Sequence, residues 1–267
     1  MRQAAELVLA AARRCSEGRV PIVAVSGVQG AGKSTLARAL AAASQGAMAQ
    51  FSLDDVYLGK QERRDLAAGV HPLLATRGPP GTHDLALLES ALQNLLAAGP
   101  ASVTPLPAFD KGQDDRLPES LWPRFAGQPE IILLEGWCLG ALPQSPSDLS
   151  EPVNDLEARE DRDGVWRGYV NAQLGADYLR VFSGFDAILH LRAPDFSVTP
   201  LWRRQQEEVR VGRPLTPGED EALLRFVSHF ERISRHMLSG GRRAEVEVDL
   251  DASRRPLAVR SLDRDRL

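Results

Sequence analysis

Between Val20 and Leu40 the chain passes from an apolar run of strand length into an amphipathic run at helical spacing, across the stretch SGVQGAGKST. Glycines at 27, 30 and 32 fit only a corner where a strand hands over to a helix, so the chain reads as an α/β fold with its chemistry at that corner. Gly27 to Ser34 satisfies GxxxxGK[ST] with the required strand before it and helix after it. The spacing has a physical reason. Glycines let backbone N–H groups turn inward onto a polyphosphate, and the helix amino end adds partial positive charge. Lys33 is then expected at the outer phosphates and Ser34 at a magnesium ion. Gly27, Val28, Gln29, Gly30, Ala31, Gly32, Lys33, Ser34 and Thr35 form the candidate nucleotide-binding set.

The remaining pattern alternates strands and helices. Strands are expected at 20–26 and 48–53, in IILLEG from 131, and at 187–191 and 246–250, with a broken, proline-bearing strand at 101–109. Helices are expected at 3–15, 32–44, 60–68, from Asp84 to Gly99, and at 165–181, 197–211 and 217–239, with 110–129 left as a polar loop. This order predicts a three-layer α/β/α P-loop NTPase fold of the NMP-kinase-like type, around a central parallel sheet of about five strands. Residues 1–267 are read as one domain, with a lid near 197–216 and a Pro/Ser/acid surface excursion near 142–163.

Charge narrows the partners. A formal net charge of -4 gives no general attraction to nucleic acid or to an anionic membrane, so an anionic ligand must be held by local groups. Cys15 and Cys138 are far apart and read as inert thiols. No run has the length of a membrane span and the first residues lack the core of a signal peptide, so a cytoplasmic location is expected, with the oligomeric state left open. Of 32 basic residues only Lys33, Lys60 and Lys111 are lysine, so a lysine at a motif position suggests that a compact ammonium is wanted there.

Two acids follow apolar strands. In SLDDVY, Asp54 and Asp55 point in different directions; Asp54 is the candidate catalytic acid and Asp55 suits a helix cap. Tyr57 is counted with the acceptor contacts. Glu135, at the end of IILLEG, has reason to be there if it is paired or near a cation, and is assigned with Ser34 to the Mg²⁺ shell. Arg77 and His83 in RGPPGTHD, with Lys111 and Arg116 in FDKGQDDR, suit a small acceptor bearing a carboxylate. His190, His229 and His236 read as structural. In LWRRQQEEVRVGR, Arg203, Arg204, Arg210 and Arg213 form an arginine helix able to close on a transferred phosphoryl group, with Arg204 as the expected catalytic arginine.

The set GVQGAGKST, SLDDVY, RGPPGTHD, FDKGQDDRLP, ILLEGWCLG and LWRRQQEE resembles the plant-type D-glycerate 3-kinases and their bacterial and fungal relatives, across about residues 20 to 250. These belong to a wider P-loop group with phosphoribulokinase, uridine kinase and bacterial pantothenate kinase. The resemblance implies transfer of the γ-phosphoryl group of ATP, with Mg²⁺, to the primary hydroxyl of D-glycerate. It makes Asp54 the base-like acid and Lys33 the phosphate lysine. Phe109 stands where the family often has tyrosine. Other readings stay open: a kinase for a pantothenate-, uridine- or sugar-phosphate-like metabolite, or a protein that holds ATP without turnover. A GTPase would need an NKxD motif, which the sequence lacks.

Overall fold

The run IVAVSG is buried along its whole length, as a strand flanked by neighbours on both edges and covered on both faces must be. The computed structural model describes residues 2–16, 18–44 and 46–262. Their elements, in chain order, are α1 (Arg2–Cys15), β1 (Ile22–Gly27), α2 (Lys33–Ala43), β2 (Met48–Ser52), α3 (Lys60–Gly69), α4 (Leu85–Leu96), β3 (Val103–Pro105), β4 (Phe109–Asp110), β5 (Asp115–Arg116), β6 (Arg124–Ala126), β7 (Ile131–Gly136), α5 (Asp155–Glu160), α6 (Val165–Gln173), α7 (Leu179–Ser183), β8 (Ala187–Arg192), α8 (Val198–Val211), α9 (Pro217–Leu238), β9 (Val246–Leu250) and β10 (Pro256–Ser261).

Among the described residues the main sheet has six strands in the order β10-β9-β8-β1-β7-β2. Neighbours from β9 through β2 pair in parallel, as expected. The expected closing strand, β9, is not the last: β10 returns antiparallel along it. Its sequence PLAVRS gives no apolar run because an edge strand here leaves most side chains partly or wholly exposed.

Alternation along the strands divides the core. Ile22, Ala24, Ile132, Leu134 and Ile188 face one way, onto Leu88 of α4, Trp166 of α6 and Phe230 of α9. Val23, Val25, Leu133 and Leu189 face the other way, onto Val8 of α1, Leu36 of α2 and Trp202 of α8. Each large apolar side chain fully buried in these layers contributes about 1.5–3 kcal/mol. The three-layer P-loop arrangement follows, and the carboxyl ends of β1, β2 and β7 open on the same edge.

Other segments depart from the sequence pattern. The expected helix 165–181 is interrupted by a π turn at Leu174–Tyr178, where Ala176 leaves helical geometry. That turn aims the Tyr178 hydroxyl at the 77–82 loop, where it accepts from Gly81 N at 2.8 Å. The expected broken strand 101–109 and the polar loop 110–129 form two short antiparallel pairings, β3 with β6 and β4 with β5, too brief to show as periodicity. Residues 142–163 run largely over the surface, yet Glu157 is fully buried in an ion pair with Arg232 of α9 at 2.6 Å. Among the described residues no helix is long and apolar enough to cross a membrane.

Candidate active site

The loop between β1 and α2 is held close to its surroundings. A Cβ on Gly27 would lie 2.6 Å from the Leu191 carbonyl oxygen, and one on Gly30, whose φ is +80°, would lie 2.5 Å from Cβ of Trp202. No larger residue fits either place, so α8 is packed directly on the loop. Lys33 is buried at the amino end of α2 and donates to the Val28 carbonyl at 3.0 Å. Burial pushes its pKa below the usual lysine value, while Glu135 and Asp54 oppose the shift. Ser34 donates to Glu135 Oε1 at 2.8 Å, which joins the first turn of α2 to the end of β7. A hydroxyl and a carboxylate side by side are hard oxygen donors, a set that suits Mg²⁺, which takes the rest of its shell from water and phosphate.

β2 delivers the second acid. After Ser52 the chain tightens into a 3-10 turn over Leu53–Val56, capped reciprocally by Ser52 and Asp55. Asp55 folds back to accept from Ser52 N at 2.8 Å, and burial pushes it up to about 7. Asp54 faces the cavity. Its Oδ1 accepts from Tyr57 at 2.8 Å and its Oδ2 from Lys111 Nζ at 2.6 Å. Burial alone would raise the Asp54 pKa, but the Lys111 charge and these two hydrogen bonds hold it well below the usual carboxylate range. Lys111 is raised in turn, first by Asp54. Burial lifts Tyr57 well above the ordinary phenol value, so its hydroxyl keeps its proton and donates.

These groups open into one cavity of ≈ 150 Å³, whose wall also includes Arg77, Trp137, Arg203 and Phe226. Arg77 reaches it from the 77–82 loop and is steadied by an ion pair with Asp114 and by the rings of Phe109 and Phe226. Trp137 donates to the Gly78 carbonyl at 3.0 Å, tying the end of β7 to that loop.

Some expected residues lie elsewhere. Arg204 makes a two-pronged pair with Asp220 of α9, both contacts at 2.6 Å, and does not line the cavity; Arg203 does. Consecutive residues on a helix point about 100° apart, so only one of the two can face inward. Arg210 and Arg213 are likewise paired, with Glu207 and Glu219. His83 is not a cavity residue: it is buried, stacks on Tyr57 at 4.7 Å and shares a 2.7 Å hydrogen bond with the Tyr178 hydroxyl. Burial pushes its pKa down to about 3, so it stays neutral. Arg116 is also outside the wall, donating to Asp84 at 3.0 Å and to the Tyr57 carbonyl at 3.2 Å. Both support Tyr57 from behind. Trp137 and Phe226 were not anticipated, and Phe226 carried no usable sign, since it sits in a stretch that reads as ordinary helix.

No protein-family model matches the chain. It is 34% identical over 230 residues to the uncharacterized kinase mug58 of Schizosaccharomyces pombe, covering 80% of this chain and 79% of that one. With the chloroplastic D-glycerate 3-kinase of Arabidopsis thaliana it shares 32% identity over 221 residues, 78% of this chain and 46% of the plant protein. In structure it is similar to the D-glycerate 3-kinase from Cryptococcus neoformans, with a TM-score of 0.76, 24% identity and 98% of each chain covered, a likeness of fold.

Proposed function

The chain belongs to the P-loop kinase family that includes the D-glycerate 3-kinases, and from that premise we propose that it transfers the γ-phosphoryl group of ATP to the primary hydroxyl of D-glycerate, giving 3-phosphoglycerate. One observation carries the reading: Asp54 faces the cavity into which Lys33 and Ser34 also open, with Arg77, Lys111 and Arg203 around it. A phosphate loop accounts for the first pair. It does not account for an acid and three cations opposite, which suit an acceptor carrying both a hydroxyl and a carboxylate.

The roles follow from the contacts. Lys33 leaves the Val28 carbonyl for the outer phosphates, and Arg203 neutralises charge that spreads over the transferred group. Asp54, kept ionised far below neutral pH, is a weak base. Its work is to accept a hydrogen bond from the acceptor hydroxyl and hold it in line, taking the proton as the P–O bond forms. Ser34 and Glu135 would hold Mg²⁺, which supplies charge neutralisation on the phosphates when bound. Arg77 and Lys111 orient the acceptor carboxylate, and Trp137 and Phe226 form the apolar part of the wall.

The test is an acceptor screen of the purified protein with Mg-ATP against D-glycerate, L-glycerate, pantothenate, uridine and ribulose 5-phosphate. ADP formation with D-glycerate above all others is expected. Preference for another acceptor would overturn the substrate, and equal ADP formation without any acceptor would overturn the kinase reading.

A further inference from the structure

Arg63 is fully buried on α3, a helix of sequence KQERRDLAAG whose neighbouring positions face solvent. Burying a guanidinium costs several kcal/mol unless every donor finds a partner. Here they do. Nη1 donates to the Leu58 carbonyl at 2.5 Å and Nε to the Ala75 carbonyl at 3.3 Å. Nη2 donates to the Asp114 carbonyl at 3.1 Å and to Asp114 Oδ2 at 2.6 Å.

These partners belong to three segments of the acceptor side: the end of the turn that carries Asp54 and Tyr57, the approach to Arg77, and the loop that carries Lys111. Asp114 is the junction. Its other oxygen accepts from Arg77, and its backbone sits at φ 57°, a left-handed conformation that a non-glycine residue keeps only where its surroundings fix it. One carboxylate is thus shared between a buried arginine that touches no cavity atom and a cavity arginine.

We propose that Arg63 is a positioning residue of the acceptor half-site: through Asp114 it presets Arg77 and the Lys111 loop, and so sets acceptor affinity without touching the acceptor. The proposal rests on the kinase reading above for what Arg77 and Lys111 bind. A lysine cannot replace Arg63, because a single ammonium cannot span acceptors on three segments as a planar fork does. None of the Arg63 partners lies on the phosphate loop, so nucleotide binding is left alone.

The experiment uses Arg63→Lys, with Asp114→Asn as the second variant should the first not fold. Hydrogen exchange in the free protein is expected to quicken across 109–116, about tenfold or more for the loss of a charged hydrogen bond, with β1 and β7 unchanged. KM for D-glycerate is expected to rise about tenfold while KM for ATP stays within about twofold. A purely structural role would lower the active fraction and leave both KM values in place. Unchanged exchange at 109–116, or KM values that rise together, overturns the proposal. If the wild-type protein ignores D-glycerate, the substrate reading fails, and the exchange measurement alone decides the role of Arg63.

Discussion

Lys111→Met isolates the contact that holds Asp54 ionised. The ammonium lies 2.6 Å from Oδ2, but the Lys111 side chain is 58% exposed and that of Asp54 28%, so solvent screens the pair. Fully exposed pairs contribute about 0.2–1 kcal/mol and a hydrogen bond to a charged group at most about 3. Discounting for exposure leaves about 1–2 kcal/mol, or about one pH unit on Asp54. The sign follows from the partners. With the cation gone, burial still favours the neutral acid against the Tyr57 hydrogen bond and the more distant charges of Lys33 and Arg203, so the Asp54 pKa rises. A carboxylate with a depressed folded pKa contributes stability above its unfolded value near 4, and that stability is lost as pH falls through the folded value. Lys111→Met should therefore be about 1–2 kcal/mol less stable than the wild type from about pH 4 to 8, because Asp54 stays ionised over that range in both proteins. Denaturant titrations measure the difference. Superimposable stability curves would refute the account of Asp54.

Asp54→Asn should lower kcat by a factor on the order of 10²–10⁴ while KM for ATP changes little, as steady-state kinetics will read; normal turnover would remove Asp54 from the chemistry. Arg203→Met should reduce kcat strongly, whereas Arg204→Met, which removes only a half-buried pair with Asp220 away from the cavity, should change it less than about twofold. The reverse order would restore Arg204 as the catalytic arginine. Asp55, raised to about 7, contributes stability that is full below the unfolded value near 4 and is lost as pH rises through 7. Asp55→Asn keeps an acceptor for Ser52 N, so its stability relative to wild type should climb between about pH 4 and 7 and then level off; urea melts showing a flat difference would contradict this.

The sequence exposes what depends on local spacing. The GxxxxGKS loop, the buried runs of β1, β7 and β8, and the amphipathic spacing of α9 are all written in consecutive residues. Helix phase was harder to read. Arg203 and Arg204 are adjacent in the chain, and which one faces the cavity depends on how α8 seats on Gly30 and pairs with α9. His83 and Arg116 have the residue types of ligands, but their distant partners, Tyr178 and Asp84, turn them into supports for Tyr57. Arg63 lay beyond sequence reasoning for the same reason: its partners come from three separated segments, and nothing in KQERRDLAAG distinguishes it from Arg64.

In the proposed reaction a phosphoryl group leaves ATP for the hydroxyl of a small acid held opposite Lys33. Its most direct test is a ³¹P NMR time course of the purified protein with Mg-ATP and D-glycerate. The account predicts that the γ-phosphorus signal declines in step with a new phosphate monoester at the primary carbon, and that Lys33→Ala abolishes the exchange. Loss of the γ signal to inorganic phosphate alone, or no loss at all, would contradict it.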